Sequence, residues 1–395
     1  MKRSMSILAA IVWLLGAAAT AQPDTRWGGG GMENLSVRGY VRGSPIYLSA
    51  KMPPAGERET FMEYRLHNRL NLRYDPSDVL SFHWQMRTRL FAGDLVREVP
   101  GYTDGIAEDD GLVDLSWTVA ESGDWILHYI PDRLYGEWDH ADWNVRIGRQ
   151  RVNWGVNWIT NPNDIFNIYS VYDFDYPERP GSDAVRIQRF LGFSSRMELA
   201  VSPGRSRKDS VAAALYAFRT RGYDIQMIGG YYRDRIAAGG GWSGNLGGAA
   251  LKGETMFFAD IDSDESGRET NVIAAVSIDY MFPNSLFTVA ELLYNREGGQ
   301  DALIPAVGRL SPDNPSFSTY QASLRFSYPI HPLLDGILTT IWYPDEDAAF
   351  LSPALRWSVT QNLDADLTGQ FFVAASDSAF ENAGHLVVAA LTYNF

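Results

Sequence analysis

The sequence predicts an all-β fold: a transmembrane antiparallel β-barrel of about 18 strands, with short periplasmic turns at one rim and long extracellular loops at the other. Three observations predict it. An export-type leader opens the chain, long segments alternate polar and apolar residues with period two, and short and long connections alternate along its length. The 395 residues are 45% hydrophobic, 13% aromatic and 21% charged, too apolar and aromatic for a disordered chain. With no Cys, a disulfide framework, a thiolate zinc site and a cysteine nucleophile are excluded. A net charge of −14 argues against a nucleic-acid partner.

Residues 1–21 read as a signal peptide. Lys2 and Arg3 form its basic start, Ile7 to Ala18 its apolar stretch, and Ala19-Thr20-Ala21 its cleavage site. The apolar stretch is shorter than the ~20 residues that span a bilayer as a helix. Residues 22–34 then form a periplasmic N-terminal segment and 35–395 the barrel. After the leader the longest uncharged stretch, Ile236 to Leu251, is broken by six glycines, which excludes a bundle of membrane helices.

Strand periodicity is clearest over Phe61 to Tyr74. Odd positions carry Phe61, Glu63, Arg65, His67, Arg69, Asn71 and Arg73; even positions carry Met62, Tyr64, Leu66, Asn68, Leu70, Leu72 and Tyr74. The next segment sets Ser81, His83, Gln85, Arg87 and Arg89 against Leu80, Phe82, Trp84, Met86 and Leu90. Successive strand residues face opposite sides, so this hairpin has one apolar wall and one cationic wall. The same alternation recurs over 271–280, 319–328 and 363–371. Tyr74, Tyr280, Tyr328, Tyr343, Trp357 and Tyr393 stand at strand ends, where a membrane barrel carries its aromatic girdles.

The predicted strands are 35–48, 58–73, 79–92, 126–138, 142–152, 183–191, 194–201, 209–219, 222–232, 235–243, 247–259, 269–281, 285–296, 316–328, 335–343, 349–360, 363–375 and 385–395. Sixteen remain if 35–48 lies outside the wall. The last strand, His385 to Phe395, is uncharged and ends on Phe395. It resembles the C-terminal signal of bacterial outer-membrane barrels, in which a last-residue Phe follows alternating apolar positions.

Arginines in such a wall must face water, because an Arg on the lipid face near the midplane costs about 2–4 kcal/mol. Arg65, His67, Arg69, Arg73, Arg87 and Arg89, with Arg325 and Arg356, are therefore candidate lumen and selectivity residues. Two readings stand. Either they raise the local anion concentration and select anions, or they are neutralised by Glu63, Glu254, Asp279, Glu291, Asp364 and Asp366. The outer loops carry the opposite sign: residues 93–125 hold nine acids against Arg97. Such oxygens can hold hard cations or bridge to lipid headgroups, but exposed acidic loops also serve plain solubility.

The most distinctive stretch holds Gly148-Arg149-Gln150, Asn153-Trp154-Gly155 and Asn161-Pro162-Asn163-Asp164-Ile165-Phe166-Asn167. GRQ-x-x-NWG followed by NP-x-D-x-FN resembles a set of largely uncharacterised Gram-negative outer-membrane barrels of porin type. The GRQ portion is also similar to alginate-export-type barrels, which implies an 18-stranded pore with an arginine-lined lumen. The match covers about 40 residues. Independently of it, this third external loop is too apolar to sit in water, so it is expected to fold into the barrel and narrow it. Trp154, Trp158, Asn161, Asn163, Asp164, Phe166 and Asn167 are its candidate constriction residues. Asn161 to Asp164 offer caps for a short helix starting near Ile165.

No G-x-S-x-G or H-E-x-x-H occurs, and His67 and His83 lie on the charged face, so no catalytic residue, metal or cofactor is expected. The leading expectation is a passive channel for small hydrophilic solutes, anionic ones among them. Export of an anionic polysaccharide and a plugged structural barrel are the alternatives. Outer-membrane lipid and lipopolysaccharide are the expected surroundings; the outer wall gives no basis for an oligomeric state.

Overall fold

The computed structural model describes residues 34–51, 58–167, 172–173, 178, 180–261, 270–298, 310–376, 378, 380–381 and 383–395. The leader, and residues 22–33 of the N-terminal segment, lie outside them. The first strands are β1 (Leu35–Lys51), β2 (Arg58–Ser77), β3 (Leu80–Gly93), β4 (Trp117–Ser122), β5 (Trp125–His140) and β6 (Trp143–Gln150). After the third outer loop come β7 (Ser182–Phe190), β8 (Arg196–Ser202), β9 (Val211–Thr220), β10 (Tyr223–Tyr232), β11 (Arg235–Leu246) and β12 (Ala249–Asp260). The rest are β13 (Asn271–Met281), β14 (Phe287–Asn295), β15 (Tyr320–His331), β16 (Leu334–Tyr343), β17 (Ala348–Thr360), β18 (Leu363–Ala374) and β19 (His385–Asn394).

Each wall strand pairs antiparallel with the next, β3 pairs with β5, and β19 returns to β1, so the sheet closes. Setting β4 aside, the wall is a closed cylinder of 18 strands. Closure leaves no unpaired edge, the condition for crossing hydrocarbon with strands. β1 belongs to this wall, paired with β2 on one side and β19 on the other, which removes the 16-strand alternative. No helix among the described residues is long and apolar enough to cross a membrane.

Local chemistry explains the short rim. Arg221-Gly222 and Gly247-Gly248 all have positive φ, the left-handed pair that a two-residue hairpin turn needs. The second outer loop forms α1 (Asp94–Glu98), α2 (Tyr102–Ala107) and β4. β4 pairs with the outer end of β5, on the edge that β6 occupies lower down, and so raises the wall locally.

The outer face is apolar: Leu292, Trp342, Tyr320, Leu355 and Leu391 are all exposed. Tyr74, Tyr280, Tyr328, Trp357 and Tyr393 stand exposed at strand ends, as a girdle requires. Tyr343 does not. It is fully buried inside, packed on Phe380 at a ring distance of 4.5 Å, while its neighbour Trp342 takes the outward place. The period-two rule is kept, one residue out of step with the strand-end reading.

Leu292→Arg should cost about 2–4 kcal/mol of folding free energy in lipid vesicles if that row meets hydrocarbon. Unchanged stability in urea titrations would place the row in water.

Candidate functional site

The motif of the third outer loop builds its own fold. Gly148 has φ 120°, and a Cβ there would lie 2.3 Å from the Leu134 carbonyl oxygen, so the strand can bend only with glycine. Arg149 then meets Asp183 Oδ1 at 2.8 Å, Asp109 Oδ2 at 2.7 Å and the Val113 carbonyl at 2.8 Å, tying the second loop to the third. Gln150 Nε2 donates to the Ala184 carbonyl at 2.9 Å.

The two halves of the motif fold onto each other. Asp164 Oδ1 accepts the Trp154 N–H at 2.7 Å and the Gly155 N–H at 3.3 Å. Asn167 Oδ1 accepts the Val152 N–H at 3.2 Å, and its Nδ2 donates to Ser182 Oγ at 2.8 Å. A Cβ at Gly155 would stand 2.3 Å from Asn161 Oδ1, so the close approach of the halves requires glycine. Residues 161–167 contain no helix. Asp164, read as a cap for a following helix, satisfies amides ten residues behind it, and Ile165 is buried as an anchor instead. Residues 168–171, where that helix would continue, lie outside the described residues.

The loop lies against the inner wall. Val152, Trp154 and Ile165 pack with Ala200, Ala213, Leu215, Ile228, Ala237, Met256 and Phe258, where the small residues of β8 to β11 leave room. Trp154 Nε1 donates to Glu198 at 2.7 Å, and Gln226 donates to the Trp154 carbonyl at 2.6 Å. Glu254 accepts the N–H groups of Val156, Asn157 and Asn163, the last two at 2.7 and 2.9 Å. Glu291 accepts those of Ile159 and Thr160 at 3.1 and 2.7 Å. Both glutamates are buried.

Trp158 is exposed toward the lumen, its Nε1 2.8 Å from Asp279 and its ring 4.6 Å from the Lys252 ammonium. Further on, Tyr172 sits among Phe317, Tyr343, Phe350, Phe372 and Phe380, and its carbonyl accepts Gln370 Nε2 at 3.1 Å. Glu178 reaches Tyr40 at 3.0 Å and Arg69 at 3.6 Å. The described residues of the loop therefore contact the wall at several places, on β12 and β14, beside β16 to β18 at Tyr172, and beside β1 and β2 at Glu178.

His67, Arg69 and Arg87 of the cationic row are buried, and the row has partners. Arg69 is buried against Asp132 and Gln85, each at 2.8 Å. Arg65 meets Glu63 and Tyr102 and lies 5.1 Å over the Phe91 ring. Burial, opposed by the Arg65 charge, pushes the Tyr102 hydroxyl above its ordinary range. Arg87 Nε is 3.3 Å from His67 Nε2, Arg89 is 3.1 Å from His128 Nδ1, and exposed Arg73 pairs with Asp75. Arg356 meets Asp366 at 3.2 Å near the periplasmic mouth, and Arg325 lies half-buried on the inward row of β15.

The partners differ from those read in the sequence. Glu63 and Asp366 do meet arginines, but Glu254 and Glu291 hold loop amides, and Asp279 pairs with Lys252 at 3.2 Å. Asp109, Asp132, Glu178 and Asp183 supply the missing charge, the first and third from loops whose route no strand pattern reveals.

A chamber of about 700 Å³ remains between the second loop, the third loop and the outer ends of β8 and β9. Arg87, Arg89, Arg149, Arg205 and Arg233 line it with Glu108, Asp109, Asp110, Asp132, Asp183 and Asp209, and Phe166 and Asn167 form part of its floor. No group of three or more His, Asp or Glu among the described residues could hold a metal ion. Arg205 and Arg233 carried no sequence signal, lying in a loop and a turn of ordinary composition.

No protein-family model matches the sequence, and no curated protein does. Solved structures share the fold. OccK9 (OpdG) of Pseudomonas aeruginosa superposes at TM-score 0.59 and 10% identity, over 93% of this chain and 100% of its own. OccAB3 of Acinetobacter baumannii gives 0.56 at 10% identity, over 91% and 99%. The outer membrane protein OpdK of P. aeruginosa gives 0.55 at 7%, over 91% and 98%. At such identities the likeness is one of fold. The chain shares with them a closed antiparallel β-barrel, and its exterior is apolar.

Replacing Glu254 or Glu291 by Ala strands buried N–H donors, a loss of about 1–3 kcal/mol each. Limited proteolysis of the folded barrel should then cut within 151–165 at least roughly tenfold faster; equal rates would mean these carboxyls do not hold the loop.

Proposed function

We propose that the protein is a channel through which small hydrophilic solutes cross the outer membrane by passive diffusion, with the third loop setting the aperture. The observation that carries this reading is the chamber of about 700 Å³ left within the loops, lined by arginines and carboxylates among apolar side chains. That volume suits a small solute, within the range of ordinary ligand cavities. Polysaccharide export is less well served, because a polymer needs a lumen free of the inward-packed residues 151–167. Trp154, Asn161, Asn163, Asp164 and Asn167 act as the frame of the constriction, and Trp158 and Phe166 meet what passes. In the intact protein, residues 1–21 are a removable leader, so the mature chain should begin at Gln22 by mass spectrometry; an uncleaved start would make the leader an anchor.

Preference for anions is the finer part of the proposal. Its candidates are Arg87, Arg89, Arg205 and Arg233, which line the chamber together with Glu108, Asp110 and Asp209. The lumen is thus of mixed sign, and the preference should be modest.

Planar-bilayer recording tests both parts. The barrel should conduct, and a salt gradient should give a reversal potential of anionic sign that moves toward cations in Arg89→Glu and Arg233→Glu. No conductance favours the plugged structural barrel; conductance with an unmoved potential removes the arginines from selectivity.

A further inference from the structure

The outer connections are acidic except at two adjacent places. The link between β8 and β9 carries Arg205, Arg207 and Lys208 against Asp209, and the β10–β11 turn beside it adds Arg233 and Asp234. The two are joined into one lip: Arg233 N–H donates to the Ser210 carbonyl at 3.0 Å, and Arg207 Nε meets Asp234 Oδ1 at 2.6 Å. The Tyr231 hydroxyl lies 2.6 Å from the same Asp234 oxygen and 2.9 Å from the Arg207 carbonyl.

The lip faces two ways. Arg205 and Arg233 line the chamber, whereas Arg207 and Lys208 do not and stand exposed. They sit above Tyr231, which alternates with the inward Tyr232 and so belongs to the outer girdle. Below Tyr231 the outward row is shallow: Ala214 pairs with Gly229 and Gly229 with Ala238, and all three are exposed. Leu199 opposes Ala214 on one flank and Phe257 opposes Ala238 on the other. Cations at girdle height above an apolar channel match an amphiphile with an anionic head.

We propose that this lip binds a phosphate-bearing lipid headgroup of the outer leaflet, with Arg207 and Lys208 on the phosphate and acyl chains along the row beneath. The inference rests on the membrane setting of the barrel and not on conduction, so a barrel that fails to conduct tests it equally well.

The probe is bis-phosphorylated lipid A, titrated onto the full barrel in detergent and read by native mass spectrometry. Each basic group near a membrane surface contributes about fivefold to such attraction, so Arg207→Ala/Lys208→Ala should weaken binding roughly 10- to 30-fold. Lys208→Ala alone, at an exposed site outside the strands, should weaken it several-fold with heat-modifiable gel mobility unchanged. Dephosphorylated lipid A should bind the wild type no better than the double variant binds the phosphorylated form. Equal affinities for variants and wild type, or for the two lipids, overturn the proposal. So does displacement of lipid A by millimolar inorganic phosphate, which marks a free-anion site, or a loss of barrel–barrel association in place of lipid binding, which marks a second copy as the occupant.

Discussion

Five backbone N–H groups of one loop end on two buried carboxyl groups of the wall, Glu254 and Glu291. A loop drawn into a barrel leaves water and forfeits the hydrogen bonds its backbone had there, and each unmet donor costs about 1–3 kcal/mol. The inner wall of β12 and β14 supplies the acceptors, and the small inward side chains of β8 to β11 supply the space for Trp154 and Ile165. Without both, the apolar residues of 151–167 would have to lie exposed at the outer rim. The course of the second loop follows, since Asp109 is held by Arg149, which the bend at Gly148 places beside Asp183.

Charge inside the barrel obeys the same economy. Arginines keep the inner face of β2 and β3 hydrated, yet where loops cover them each needs a partner, because an uncompensated buried charge is costly. Asp132 and Glu178 serve Arg69, and Asp109 and Asp183 serve Arg149. At the chamber wall cations and carboxylates line one space.

The wall was legible because its physics is local. Alternation, two-residue turns and Gly/Asp/Asn punctuation located all the wall strands within a few residues, and even Tyr343 misled only by the choice between it and Trp342. The site was legible in part. Parity set Arg65, Arg69, Arg87 and Arg89 on one face, of which Arg69 and Arg87 are buried, and the apolar Trp154 and Ile165 of the loop are buried too. The partners were not legible, because Asp109–Arg149 and Glu254–Asn157 join residues 40 and 97 positions apart through loops that carry no periodicity. Asp164 misled for a related reason: the same carboxylate that can cap a following helix can also close a loop behind it.

Hydrogen exchange of the reconstituted barrel tests the central claim most directly. Peptides covering Val156, Asn157, Ile159, Thr160 and Asn163 should exchange as slowly as neighbouring wall strands, since their amides end on buried carboxyl groups. Exchange as fast as that of the exposed 203–210 loop would contradict the account and put the third loop back in open water.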